Sequence, residues 1–263
     1  ERISSPITSM AAVGLDDIGL SLKRVHHRYR AVIMRFETPL IPAVLIRRYK
    51  RFLADIRFAD GREAVAHCAN PGSMMGLAEP GMRIWVEPND DPKKKLRYGW
   101  RLVEHENGHF TGVDTSVPNR ALKASLMARE LPEFAMYPEV LPEQKYGEAS
   151  RIDFLLRGGG LADLYLEVKC VTLCRSAGLG EFPDSVTARG AKHLGELTKV
   201  AQSGADAAVL YLVQRTDIER VSLAADIDPT YAKAAGVAKA AGVRFYCYDT
   251  KITPSEVVVN KPV

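Results

Sequence analysis

The chain has 263 residues, 46% of them hydrophobic, and a formal net charge of +4 at pH 7. That is enough chain and enough apolar surface for two modest cores or one large one. No apolar run approaches the roughly 18–20 residues of a membrane span, and no apolar segment with a small-residue cleavage site follows the N-terminal charges, so neither a spanning helix nor a secretory signal is expected.

The charge is unevenly spread. Lys and Arg exceed Asp and Glu by five over residues 43–101, whereas acids exceed bases by three over residues 102–263. A basic segment beside one with clustered carboxylates suits a module that grips a polyanion joined to a metal site. Scattered surface charge is the plainer alternative.

Residues 1–33 differ from the remainder: Ser, Thr, Gly and isolated apolar residues precede a basic patch from Lys23 to Arg30. Residues 1–39 read as an extension, either disordered or translated from a start codon upstream of Met34, and residues 40–114 read as the first domain. Ala54, Ile56 and Phe58 continue an alternation that starts at Phe52, and Asp60-Gly61 then makes a hairpin turn. Strands are expected over 63–68, 82–87, 96–104 and 110–113, separated by the turns Asn70-Pro71-Gly72 and Glu79-Pro80-Gly81 and a polar loop at 89–92. Five short strands in about seventy residues predict a small all-β barrel of the OB type. Its candidate nucleic-acid contacts are Arg47, Arg48, Tyr49, Lys50 and Arg51, then Lys93, Lys94, Lys95 and Arg97, because basic side chains interleaved with aromatics suit backbone contact and base stacking. Phe52 reads as core, and Asn70 with Gly72 as a turn that needs no ligand.

Residues 115–263 read as a second, mixed α/β domain. Ser116 as N-cap and Pro118 in the first turn predict a helix to Leu131. Two strands within residues 150–173 then flank the turn Arg157-Gly158-Gly159-Gly160. If that hairpin is symmetric about Gly160, residue 153 lies opposite 167, which sets Asp153 against Glu167 with Cβ atoms about 4.5–5.5 Å apart. Opposed carboxylates repel unless a cation lies between them. Mg²⁺ or Mn²⁺ suits such a pair, with water and phosphate oxygen completing its shell, and Lys169, two residues on and on the same face, would hold a water or a developing phosphorane charge. The structural alternative is a pair of cross-strand salt bridges, Asp153–Lys169 and Arg151–Glu167.

Beyond the hairpin, residues 178–184 read as a flexible loop. A helix follows from Ser185 or Ala188 to Gln202, then a buried strand over 207–213, a helix over 231–241 and a strand over 243–248. Arg189, Lys192 and His193 on the first of these helices either approach a phosphate backbone near the metal or form an exposed amphipathic face. Cys68, Cys170, Cys174 and Cys247 lack zinc-ligand spacing and read as reduced thiols, which fits a cytoplasmic protein.

The longer words are more specific than any single motif. HCANPGSM (67–74), KYGEASRIDFLL (145–156), YLEVKCVTL (165–173) and FPDSVTARGAKHL (182–194) resemble the sugar fermentation stimulation protein A family, from about Leu40 to the C-terminal region. Asp153, thirteen residues, then Glu167-x-Lys169 resembles the looser PD-(D/E)xK nuclease pattern. The resemblance implies a restriction-endonuclease-like second domain, a DNA-binding protein acting on single or double strands, and a regulatory role in sugar metabolism. The nuclease pattern implies metal-assisted phosphodiester hydrolysis by Asp153, Glu167 and Lys169, with Asp153 and Glu167 as ligands. It also implies a helix Glu near the position of Ala124, where the nearest acid is Glu130, so a third carboxylate ligand does not carry over. A DNA-binding protein with an inactive nuclease fold, and a structural or interaction module, are the rival readings.

Overall fold

The computed structural model describes residues 32–147 and 150–263; the expectations for residues 1–31 lie outside the described residues. Strand β1 (Met34–Arg35) comes first, followed by β2 (Ile41–Tyr49), β3 (Leu53–Arg57), β4 (Glu63–Cys68), β5 (Arg83–Pro88), β6 (Tyr98–Glu104) and β7 (Phe110–Gly112). Alternation along β2 and β3 buries Ala43, Leu45, Ala54 and Ile56, because successive side chains point to opposite faces. They meet Ala66, Ile84, Val86 and Trp100 in one core. Strands pair in the order β4-β3-β2-β5-β6-β7, and β4 also pairs with β6, Ala66 opposite Tyr98. That last pairing closes five strands into the expected OB-type barrel.

Phe52 is a correction. It is 44% exposed, because β3 begins one residue later and Phe52 belongs to the three-residue turn between Tyr49 and Leu53. The expected boundary at residue 40 also shifts. Met34 and Arg35 pair with Val257 and Glu256 near the C-terminus, and the Glu37 and Thr38 N–H groups donate to the buried Glu87 carboxylate.

The second domain is the expected mixed α/β fold. It comprises α1 (Val117–Met127), β8 (Glu139–Tyr146), β9 (Ser150–Arg157), β10 (Leu164–Val171), β11 (Leu173–Ser176), β12 (Gly178–Phe182), α2 (Ala188–Gln202), β13 (Asp206–Val213), β14 (Ile218–Leu223), α3 (Pro229–Ala240), β15 (Arg244–Ile252) and β16 (Glu256–Pro262). One sheet runs β1-β16-β15-β13-β10-β9-β8, with β10, β13 and β15 mutually parallel. Leu122 and Leu126 of α1 pack with Phe154, Leu166 and Leu210. Leu194 and Leu197 of α2 and Tyr231 of α3 pack with Val209 and Tyr211. The strands alternate between these two cores, so the sheet is buried on both faces, which explains the near-continuous apolar run of β13.

Other local expectations change. The supposed loop at 178–184 contains β12, which pairs in parallel with β14 and antiparallel with β11; its glycines hid it. Pro142 hid β8, an edge strand, where proline is tolerated. The first helix ends at Met127, ahead of Arg129 in the left-handed region at φ 57°. Ser116 occupies the N-cap as expected, but its side chain makes no capping bond to the helix; its hydroxyl donates to Asp114 Oδ1 at 2.7 Å. Thr187 does cap α2, its hydroxyl accepting the Gly190 N–H at 3.1 Å.

Candidate metal and nucleic-acid site

The glycine turn places Gly158, Gly159 and Gly160 all at positive φ, a conformation that costs glycine nothing. It sets Leu156 opposite Leu164 and Phe154 opposite Leu166, the register expected from symmetry about Gly160. Asp153 is the next residue along. Its Oδ2 accepts the Val168 backbone N–H at 2.7 Å and its Oδ1 accepts from Asn119 Nδ2 of α1 at 2.9 Å. Burial, then the Glu167 charge, pushes the Asp153 carboxyl up to about 6.

Glu167 is solvated differently. Its Oε1 accepts from Lys169 Nζ at 2.6 Å and from His193 Nδ1 at 2.5 Å. Burial would raise its carboxyl, but these partners outweigh burial and hold it below the ordinary range. Its Oε2 is buried with no hydrogen-bond partner among the described residues. The two acids are thus pushed apart, a pattern typical of sites that handle protons or cations. Arg189 Nε donates to His193 Nε2 at 3.4 Å, which places the ring proton on Nδ1, facing Glu167.

The cross-strand salt bridges do not form among the described residues: Lys169 and His193 take Glu167, and Asn119 and a backbone N–H take Asp153. The residues fit a hard divalent cation. Among the described residues Glu167 Oε2 is an empty acceptor, and Asp153 is an acid raised first by burial and then by the Glu167 charge. Among the described residues no group of three or more His, Cys, Asp or Glu is arranged so that it could hold a metal ion. Two carboxylates with water and phosphate oxygen is the Mg²⁺ pattern rather than an all-protein cage. Helix α1 contributes Asn119 rather than an acid. Nothing in its sequence singles out Asn119, since its partner lies 34 residues away.

The helix trio divides. His193 is buried on Glu167, Arg189 orients it, and Lys192 is exposed, 3.8 Å from Glu196. Glu196 is itself buried, with Oε2 unpartnered, and was not legible as anything but a helix acid.

On the barrel, the basic run also divides. Arg48 donates to the carbonyls of Arg51, Asn70, Gly72 and Ser73, so it braces a turn and is not a free contact. Arg47 pairs with Asp55 at 2.7 Å and lies over the Tyr49 ring. Lys50 and Arg51 are exposed at the hairpin tip with φ of 48° and 62°. Beside them Phe52 stacks on His67, centroids 6.4 Å apart. Lys93, Lys94, Lys95 and Arg97 are exposed in the β5–β6 loop. Asn70 behaves as the expected turn residue: Oδ1 accepts the Gly72 N–H at 2.8 Å and Nδ2 donates to Val113 O at 3.0 Å.

The two domains touch at this turn. Ser73 Oγ and the Met74 N–H donate to Asp184 Oδ2, and the Gly112 N–H donates to Gln214 O at 2.8 Å. No helix among the described residues is long and apolar enough to cross a membrane.

Comparison with known proteins agrees with this two-part architecture. Residues 46–113 match the family described as the SfsA N-terminal OB domain, and residues 116–256 match the sugar fermentation stimulation protein RE domain. A sugar fermentation stimulation protein homolog from Ruegeria pomeroyi is 68% identical over 226 residues, covering 86% of this chain and 98% of the relative. Another, from Ruegeria sp. strain TM1040, is 69% identical over 227 residues, covering 86% of this chain and 98% of the relative. The solved structure of Pyrococcus furiosus SfsA in complex with Ca²⁺ matches with a TM-score of 0.79 at 25% identity, covering 88% of this chain and 96% of that one. This chain belongs to the sugar fermentation stimulation protein family.

Proposed function

We propose that the chain binds nucleic acid across the barrel tip and hydrolyses phosphodiester bonds at Asp153, Glu167 and Lys169 with a divalent cation. One observation carries this: two carboxylates in adjacent register, one pushed up to about 6 and the other with a buried, unpartnered oxygen. The Ca²⁺ complex of the Pyrococcus furiosus relative supports the cation.

Asp153 and Glu167 would hold the cation, which when bound supplies Lewis-acid charge and an easily deprotonated water. Asn119 and the Val168 N–H fix the Asp153 carboxylate. His193 and Lys169 fix Glu167. Lys169 Nζ, held at the site by that bond, can donate to a phosphate oxygen as negative charge develops. Lys50, Arg51, Lys93, Lys94, Lys95 and Arg97 would neutralise backbone phosphates, and the Phe52–His67 stack offers a surface for bases. A regulatory role would use the same surface.

Incubating the full chain with single- and double-stranded DNA and RNA in Mg²⁺, Mn²⁺ or EDTA tests this. Cleavage dependent on metal supports it; binding without cleavage, together with no divalent-ion heat in calorimetry, removes the catalytic half. A second reading, a binding protein with an inactive nuclease fold, is favoured by one specific feature: Glu167 Oε1 is already taken by two donors.

A further inference from the structure

A cavity of about 190 Å³ lies between the two domains, where the barrel turn at Asn70 and the segment Gly112–Thr115 meet Cys170 and Gln214. At about 30 Å³ per water it holds roughly six waters' worth of space, the scale of one nucleobase and too small for a base pair.

Its wall contains an unexplained group. Gln214 is 1% exposed, and neither its amide nitrogen nor its amide oxygen has a hydrogen-bond partner among the described residues. Leaving both ends of a buried amide empty costs about 1–3 kcal/mol for each polar group. The backbone cannot carry it away: the Gln214 N–H donates to Val171 O at 2.9 Å, and its carbonyl accepts from Gly112. A Cβ at Gly112 would lie 3.1 Å from Gln214 Oε1, so the glycine leaves the amide uncrowded.

The charged side chains of the remaining wall, Asp114 and Asp184, are both acidic. Asp184 accepts from Ser73 and Met74 and has no ion pair among the described residues, while Asp114 is held by Arg101. Burial pushes the Cys170 thiol up to about 12, so it stays a neutral thiol. These groups disfavour a phosphate and favour a neutral ring that brings its own N–H donors.

The cavity also lies on a path between the two halves of the proposed function. Arg48, in the strand that leads into the barrel tip, donates to the carbonyls of Asn70 and Gly72 in its wall. Cys170 follows Lys169, and Pro118, also in the wall, precedes Asn119, which donates to Asp153.

We propose that this cavity receives one unstacked nucleobase of the bound strand, with the Gln214 amide pairing to its donor–acceptor edge. This rests on the nucleic-acid reading above and adds a site to it. A primary amide can pair bidentately with adjacent donor and acceptor atoms of a base. The acidic wall selects bases with an exocyclic amine, adenine, cytosine and guanine, over thymine and uracil. Extruding a base costs a few kcal/mol in a duplex and least in a single strand, so single strands are the preferred ligand.

The test uses the full chain, its Gln214→Leu and Gly112→Ala variants, four nucleosides followed by ligand-observed NMR, and single strands carrying 2-aminopurine at successive positions. Adenosine and cytidine should bind several-fold more tightly than thymidine and uridine, and both variants should lose about tenfold or more. Fluorescence should rise at one position of the strand with the wild type and at none with Gln214→Leu. Gln214→Leu should unfold at the wild-type temperature or above, because it removes an orphaned amide. Nucleosides that bind all three proteins alike overturn the proposal. Strands that bind with no positional response overturn the cavity and leave the nucleic-acid reading standing. Absence of binding by both strands and nucleosides overturns both.

Discussion

The barrel and the α/β domain handle charge in opposite ways. At the barrel tip Lys50 and Arg51 are exposed in strained backbone, beside an exposed aromatic stack. In the α/β domain Glu167, His193 and Glu196 are buried, and their polar atoms are either matched by name or left empty. Water screens exposed charges, so any nucleic-acid contact made by the tip, as proposed above, should respond to salt. Buried charges are unscreened, so each carries a stability consequence and a pKa consequence. The division implies that binding and chemistry are separable by mutation, which four experiments address.

The largest effect should come from a half-buried charge within the barrel domain, the one place among its described residues where that domain buries carboxylates against a cation. Arg101 Nε donates to Glu87 at 2.7 Å and Nη1 to Asp114, both buried. Arg101→Ala would strand two carboxylates and should cost about 3–5 kcal/mol in urea unfolding. A loss under 1 kcal/mol would mean that Glu87 and Asp114 do not depend on Arg101 for neutralisation.

Next is Lys169→Ala. His193 still holds Glu167, so the fold and cation binding should persist. Metal-dependent cleavage should fall about 10²–10³-fold, as for loss of one charge-stabilising donor. Full activity in this variant would return Lys169 to a purely structural role.

Asp153 sharpens the contrast through pH. Its carboxyl titrates at about 6 in the fold against 3.8 ordinarily, so between those values the native state holds a proton that the unfolded chain has lost. Without metal, stability should therefore fall as pH rises through this window, by about 2–3 kcal/mol at 1.36 kcal/mol per unit. Glu167 is shifted the other way; its stabilisation is complete above the ordinary carboxylate range and is lost only as pH falls below it, so measurements from pH 5 to 6.5 isolate Asp153. Asp153→Asn should flatten the profile, since Asn119 can turn its amide and accept from the new one. A divalent cation should restore stability to the wild type alone. A flat wild-type profile in EDTA would sink the coupled-carboxylate reading.

The smallest effect belongs to the tip. Non-glycine residues at positive φ cost about 1 kcal/mol or more each. Arg51→Gly should stabilise the fold by about 1 kcal/mol, yet reduce the log–log salt slope of nucleic-acid binding by about 0.7–0.9 for one lost phosphate contact. An unchanged slope would take the tip out of the interface.

Much of this was legible in order along the chain because it is decided locally. Alternation at Ala54 and Ile56, the Asp60-Gly61 turn and the glycine run at 158–160 fix strands and register through backbone rules that reach only a few residues. The register Phe154 opposite Leu166, one residue short of Asp153 and Glu167, followed from that symmetry alone. Other features needed the tertiary structure, because they depend on which surfaces pack. Asn119 meets Asp153 only once α1 lies against the sheet. His193 reads equally well as an exposed face until α2 docks and buries it on Glu167. Phe52 continues an apolar alternation, but the turn that ends at it leaves the ring outside. Arg48 looks like its basic neighbours until four carbonyls from two turns converge on it. Gln214 follows an apolar strand as an ordinary polar residue, and only domain contact makes it a buried amide with nothing to pair with. Sequence periodicity sets which face a side chain takes, whereas the partner it finds there is set by elements far away in the chain.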